Sequence, residues 1–169
     1  AARRLSPAAT LIDAAHGYAY PAIDLAVDEL GDLSRKSVIG LAAIRRSHHF
    51  GQAGAHVERL AEKGLVAFLF GNTPKAMAFW GGKAPMIGTN PIAFAAPLGH
   101  GPPLVIDLAL SVAARGKVMA AKKSGERIPA DWAFDADGKP TTDPAAALNG
   151  SMAPLGGAKG AALALMIEV

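Results

Sequence analysis

The stretch that most constrains this chain is Arg45-Arg46-Ser47-His48-His49-Phe50-Gly51-Gln52-Ala53-Gly54, which gathers hydrogen-bonding side chains at the point where an apolar run stops. Residues 38–44 ahead of it are short, apolar and β-capable, and residues 55–63 behind it carry apolar side chains at helical spacing. A polar loop between a strand and a helix commits this part of the chain to an α/β arrangement. Such loops lie at the carboxyl ends of strands, where ligands tend to bind.

The flanking segments support the same class. Tyr20-Pro21 opens a helix with proline in its first turn; Ala22, Ile23, Ala26, Val27 and Leu30 share one face, and Gly31 ends or interrupts it. Gly64 is expected to cap the 55–63 helix in the left-handed conformation. Residues 65–70 and 104–110 are continuous apolar runs of strand length, predicted to be covered on both faces. Residues 72–91 read as irregular, and 92–95 as a short strand. Ser111 is predicted to cap a helix that follows the 104–110 strand without a spacer and ends at Lys122, Lys123 and Gly125. Residues 128–133 are extended, Asp137-Gly138 is a turn, and Thr141-Thr142-Asp143-Pro144 starts a short helix through Leu148. Residues 8–20 show only Leu11-Ile12 as a strong apolar pair.

Residues 161–169 form an apolar helix with Glu168 as its one charge, so in the complete fold it is expected to be covered on nearly all sides, by a partner chain or a further segment. With no internal repeat and no linker, residues 1–169 read as the central part of one domain, incomplete at both ends.

Hydrophobic residues make up 51% of the chain and charged residues 18%, which excludes a disordered chain. A formal charge of +3 comes without any block of like charges, so a mixed solvated surface is expected rather than a nucleic-acid-binding face. Cysteine is absent, which removes disulfides, cysteine-zinc sites and thiol nucleophiles together. No apolar run reaches membrane-spanning length, and the reading is of a soluble, cytoplasmic protein.

Adjacent His48 and His49 point to opposite sides of an extended backbone, and no second histidine cluster completes a metal sphere, so no metal is expected. One of them contacting a ligand competes with a structural loop histidine. Gly156-Gly157-Ala158-Lys159-Gly160 before a helix offers backbone N–H groups, a positive helix end and an ammonium, which suit phosphate or carboxylate. It is not a Walker loop, and no G-x-G-x-x-G occurs, so a Rossmann site is disfavoured. Asp107, inside an apolar strand, either accepts from backbone N–H groups near Ser111 or lies in the opening of a site.

Ser47-His48-His49-Phe50-Gly51-Gln52-Ala53-Gly54, Gly88-Thr89-Asn90-Pro91-Ile92-Ala93-Phe94, Asp107-Leu108-Ala109-Leu110-Ser111, Gly138-Lys139-Pro140-Thr141-Thr142-Asp143-Pro144 and Gly156-Gly157-Ala158-Lys159-Gly160 together resemble the malate/L-lactate dehydrogenase family. That family comprises NAD(P)-dependent oxidoreductases of malate, lactate and related 2-hydroxy acids, and reductases of cyclic imino acids such as pyrroline- and piperideine-2-carboxylate. The resemblance implies an α/β fold with a large mixed sheet and flanking helices, distinct from a Rossmann doubly wound sheet, in a homodimer. It implies that His49, Phe50, Gly51, Gln52 and Ala53 touch NAD or NADP, that Ile106, Asp107 and Leu108 flank it with Leu108 near the small-molecule substrate, and that Lys159 and Gly160 hold its phosphate-bearing part.

The family's Ser-His-Gly proton donor has no counterpart here; His16 lies in a block resembling a later segment, and the catalytic residue stays unassigned. Lys117 stands where the imine-reducing branch has an aspartate, which points toward 2-hydroxy acids. A catalytically inactive fragment or binding module is the rival reading.

Overall fold

A computed structural model of the protein describes residues 2–169. The first elements are β1 (Ala2–Ser6), β2 (Ala9–Asp13), α1 (Tyr20–Ser37), β3 (Leu41–Arg45), α2 (Ala53–Glu62) and β4 (Ala67–Phe70). Short strands β5 (Met77–Ala78), β6 (Pro85–Ile87), β7 (Ile92–Ala96) and β8 (Leu104–Leu108) follow, then α3 (Arg115–Ser124). The chain finishes with β9 (Ala133–Phe134), α4 (Pro144–Asn149), β10 (Ser151–Met152) and α5 (Ala158–Glu168). The α/β class holds, with the strands arranged in three sheets ordered β1-β2-β3, β4-β7-β8 and β6-β5-β10-β9. The chain divides into two compact units, one of residues up to Leu69 with Ala93–Asp107, the other of Phe70–Ile92 with Leu108–Val169.

In the first unit, β2 and β3 pair in parallel and α1 is the connection between them, as a parallel pair requires. Alternation along β2 buries Thr10 and Ile12. β1 pairs antiparallel with β2 and is exposed throughout, an edge strand carrying Arg3 and Arg4; with no buried face it left no periodic signal in the sequence. α1 buries Ala22, Ile23, Ala26, Val27 and Leu33 and runs through Gly31, contrary to expectation. No atom lies within 4 Å of where a Gly31 Cβ would be, so the glycine costs only its intrinsic penalty of about 1 kcal/mol, which burial of the flanking turns offsets.

β3 starts at Leu41 rather than at residue 38, because Val38 takes a left-handed φ of 67° that ends α1, and Val38 and Ile39 are exposed. α2 ends as expected, with Gly64 at φ 82°. It packs Val57, Leu60 and Ala61 against Ala67, Ala93 and Ala95 of the β4-β7-β8 sheet. The other face of that sheet is open: Phe68 is 60% exposed, Leu104 and Ile106 each 45%, so the prediction of coverage on both faces for 65–70 and 104–110 fails. Helices cover only the alanine side, and the Phe68 ring instead packs at a tilt against that of Phe94, with ring centroids 4.9 Å apart.

In the second unit, Met77, Ile87, Leu110, Val118, Ala133 and Met152 form the core. The irregular region contributes β5 and β6, pieces too short for periodicity to reveal. Ser111 does not cap a helix: its hydroxyl donates to the Ala113 carbonyl at 2.8 Å and its backbone bridges to Pro154, and the chain bends at Val112 and Ala113 before α3 begins at Arg115. Gly125, at φ 74°, closes α3 as predicted. α4 starts within the Thr141–Pro144 block as predicted, and Asp143 caps it by accepting from the Ala145 N–H at 2.8 Å.

α5 begins at Ala158, three residues earlier than read, and is not covered on all sides within its unit: Gly160, Ala161 and Ala164 are buried, whereas Leu163, Leu165 and Met166 are exposed. Its buried face is the one with small side chains, because a Cβ at Gly160 would overlap the Leu155 carbonyl.

Asn90, fully buried with φ 28°, ties α5 to the loop before it. Its amide nitrogen donates to the Ala164 carbonyl at 2.9 Å and to Glu168 Oε2 at 2.7 Å, and its oxygen accepts from the Thr73 N–H at 3.0 Å. Gly88 is needed beside it, since a side chain there would strike the Asn90 carbonyl oxygen and Thr73. The Gly-Thr-Asn-Pro block is therefore a buried polar knot. Asn90→Ala leaves the Thr73 N–H and the Ala164 carbonyl without this partner and puts alanine at a strained φ, so it should destabilise the second unit by about 3 kcal/mol. Urea denaturation followed by the fluorescence of Trp80 and Trp132, both in that unit, measures this directly.

Candidate functional site

The loop between β3 and α2 owes its shape to bonds from residues distant in sequence. At its start, Arg46 takes φ 53°, a left-handed conformation that costs a residue with a Cβ roughly 1–2 kcal/mol. Asp13, at the end of β2, grips the Arg46 guanidinium with both oxygens, Oδ1 accepting from Nε at 2.9 Å and Oδ2 from Nη2 at 2.6 Å. Oδ1 also accepts from the Ala15 N–H at 2.9 Å, and Arg45 Nη2 lies 3.1 Å from Oδ2. Hydrogen bonding from Arg46, then from Ala15, holds the Asp13 carboxyl well below the usual carboxylate range. Beyond this clasp the 14–19 turn and the loop run rung by rung, the His16 N–H donating to the Arg46 carbonyl, the His48 N–H to the Gly17 carbonyl, and the Ala19 N–H to the His49 carbonyl.

At its far end the loop is held from α2 and β8. His56, buried on the first turns of α2, donates from Nε2 to the Phe50 carbonyl at 2.7 Å, and its ring lies edge-on to Tyr20 and Phe50. Gly51, at φ 74°, has no room for a side chain because a Cβ would meet the Tyr20 hydroxyl. Gln52, at the N-cap of α2, makes no side-chain cap, and Asp107 from β8 supplies it instead, Oδ2 accepting from the Gly54 N–H at 2.7 Å. A Cβ at Gly54 would lie 3.0 Å from that of Asp107, so glycine is what lets β8 approach. The expectation that Asp107 bonds near Ser111 is thereby corrected: its donor comes from a helix start 53 positions earlier, which no local reading could find.

With its backbone pinned, the loop leaves His48, His49 and Gln52 exposed and Phe50 half-buried. His48 stands edge-on to Tyr18 at 5.7 Å, and His49 lies beside the Phe50 ring. Ala53 is buried in the core, so only its backbone faces the loop, while Ile106 is exposed on the open face of β8. In the second unit, Leu108 is partly exposed, and Gly156 and Gly157, at φ 61° and 66°, turn the chain into α5 so that Lys159 stands exposed in the first turn and Gly160 is buried. The predicted site residues thus divide, His49 to Ala53 with Ile106 and Asp107 in the first unit, Leu108, Lys159 and Gly160 in the second. Asp13, Tyr20 and His56 were missed as supports of the site, because only the folded chain brings them to the loop.

Among the described residues no group of three or more His, Asp or Glu side chains is placed to hold a metal ion. A shallow depression of about 410 Å³ lies among Lys122, Gly125, Glu126, Arg127, Asp143, Pro144 and Ala145, and none of the predicted site residues lines it. No helix is long and apolar enough to cross a membrane among the described residues.

Comparison with known proteins gives this geometry a context. The (2R)-3-sulfolactate dehydrogenase (NADP(+)) of Chromohalobacter salexigens is 61% identical over 158 residues, 94% of this chain and 47% of that protein. The delta(1)-pyrroline-2-carboxylate reductase of Ancylobacter novellus is 42% identical over 98% of this chain and 49% of its own length. Among solved structures, delta1-piperideine-2-carboxylate reductase from Pseudomonas syringae pvar. tomato superposes with a TM-score of 0.95 at 41% identity, covering 99% of this chain and 51% of the other. Sulfolactate dehydrogenase from Methanocaldococcus jannaschii gives 0.87 at 39% identity, covering 100% and 49%. The chain spans about half the length of the curated relatives it matches. The family model for malate/L-lactate dehydrogenase matches residues 2–169, and the chain belongs to that family.

Proposed function

We propose that the protein carrying this chain is an NAD(P)-dependent oxidoreductase that moves a hydride between the nicotinamide and the hydroxyl-bearing carbon of a 2-hydroxy acid, with 3-sulfolactate and NADP as its pair. The observation that carries this reading is the 61% identity to an NADP(+) sulfolactate dehydrogenase, against 42% to the pyrroline-2-carboxylate reductase. Lys117, in place of the aspartate that the resemblance associates with imine reduction, supports the same choice. Malate and lactate are the next acids to test. Reduction of cyclic imino acids is the second reading, favoured by the TM-score of 0.95 to a piperideine-2-carboxylate reductase.

Each unit by itself offers features that suit a part of a nicotinamide dinucleotide. The first unit offers a polar loop whose backbone is already held, so little conformational freedom is lost when a ligand orders His49, Phe50 and Gln52. The second unit offers the start of α5, where backbone N–H groups, the helix dipole and Lys159 all favour a phosphate. Bound there, the cofactor supplies the hydride acceptor or donor. The chain's own residues bind and orient: His49 to Ala53 and Ile106 to Leu108 along the ligand, Lys159 and Gly160 at its phosphates. Oxidation of a 2-hydroxy acid also releases the hydroxyl proton to a base, and no residue of this chain is assigned that role. We also read the protein as cytoplasmic, consistent with its lack of cysteine, and as a homodimer, consistent with the exposed apolar Val66, Leu104 and Ile106.

Turnover of 3-sulfolactate, malate, lactate or pyrroline-2-carboxylate with NADP or NAD by the full-length protein ranks the substrates directly; a preference for the imino acid moves the assignment to the second reading. The 169-residue chain alone is expected to show background activity, since general acid–base catalysis by itself contributes about a hundredfold or more and its residue is unassigned here. Robust turnover by the mass-verified chain refutes that expectation. In the full-length protein Lys159→Ala should weaken NADPH binding by about 1.5–3 kcal/mol through loss of a charged hydrogen bond, as read by fluorescence titration. Unchanged affinity returns Lys159 to the solvated surface.

A further inference from the structure

Arg46, Ala15 and His16 are non-glycine residues at φ 53°, 52° and 63°, and they meet at one corner, where the ends of β2 and β3 turn toward the 46–52 loop. Left-handed backbone at such residues persists only where surrounding bonds hold it. The parallel ladder does not hold it, because its last partnered residues are Asp13 and Arg45, and Arg46 lies beyond them. What lies beyond is one backbone bond, from the His16 N–H to the Arg46 carbonyl, and the Asp13 carboxylate, which takes Nε and Nη2 of Arg46 together and the Ala15 N–H besides. A two-point grip fixes the direction of the guanidinium as well as its distance, so it restrains the backbone that carries it.

We infer that Asp13 is a positioning residue for the cofactor loop: its bidentate grip on Arg46 keeps that residue in the left-handed conformation and so aims Ser47, His48 and His49. This rests on the proposed role of the loop in NAD(P) binding. Without the grip, Arg46 relaxes to negative φ, the rung from the His48 N–H to the Gly17 carbonyl at 2.8 Å is lost, and the loop samples directions that do not match a bound cofactor. Asp13 touches neither cofactor nor substrate in this scheme; it acts only through Arg46.

Glycine adopts left-handed φ without a clasp, and this separates the proposal from a plain loss of charge or packing. In the full-length protein, Asp13→Ala and Arg46→Ala should each bind NADPH about tenfold more weakly, with KM for NADPH raised more than kcat at saturating NADPH is lowered. Arg46→Gly loses the same ion pair, yet it should bind within about threefold of the parent, and Asp13→Ala with Arg46→Gly should recover most of what Asp13→Ala alone loses.

Equal losses in Arg46→Ala and Arg46→Gly overturn the inference, as does unchanged affinity in Asp13→Ala. Should Asp13→Ala fail to fold, the comparison of the two Arg46 variants decides alone. Amide exchange at His48 gives a readout independent of cofactor, faster in Arg46→Ala than in Arg46→Gly. If the parent binds neither NADPH nor NADH, the cofactor reading fails, and His48 exchange that is equal in the two variants overturns the clasp on its own.

Discussion

Burial of one small-residue layer in the first unit is the constraint on which the candidate site depends. Ala53, Val57, Leu60 and Ala61 of α2 and Ile23 and Val27 of α1 close over Ala67, Ala93 and Ala95 of the sheet. Each large aliphatic side chain removed from water contributes about 1.5–3 kcal/mol, and the alanines on the sheet let the helix backbones come close enough to collect it. With α1 and α2 seated, the chain between β3 and α2 has little freedom left. Its two ends are set by the core, and its middle must satisfy its backbone groups where it stands.

Distant side chains meet that requirement. Asp13 holds Arg46, His56 holds the Phe50 carbonyl, and Asp107 caps the N–H of Gly54. Three glycines are needed for the same reason of approach: Gly51 under the Tyr20 hydroxyl, Gly54 against Asp107, and Gly88 against Asn90. In the second unit Asn90 ties a helix, α5, to a distant segment by a polar side chain, as Asp107 ties α2 to β8 in the first. Both units therefore use polar side chains as ties between elements that the apolar core has already brought near. Under the proposed function, loops tied in this way lose less conformational entropy on binding.

Much of this was legible. The strand-loop-helix around the histidine loop, the helix opened by Tyr20-Pro21, the helix start at Thr141–Pro144 and the left-handed Gly64 and Gly125 all follow from local chemistry: apolar periodicity, proline at a first turn, and glycine where φ is positive. The motif blocks carried the family, which the match over residues 2–169 bears out. Local chemistry misled where burial is one-sided. The runs at 65–70 and 104–110 are apolar throughout, but only the side with Ala67, Leu69 and Val105 meets helices, and hydrophobicity alone does not say which side has a neighbour.

By itself the sequence determined the α/β class, the order of the principal elements and the stretch on which the site is built, because these depend on residues within a few positions of one another. The tertiary structure decided what holds that stretch. Asp13 reaches Arg46 across 33 positions, Asp107 reaches Gly54 across 53, and Asn90 reaches Glu168 across 78. A carboxylate or amide in a sequence declares that it needs partners; only the packing of the core, which sets which strand end lies beside which helix start, decides who they are.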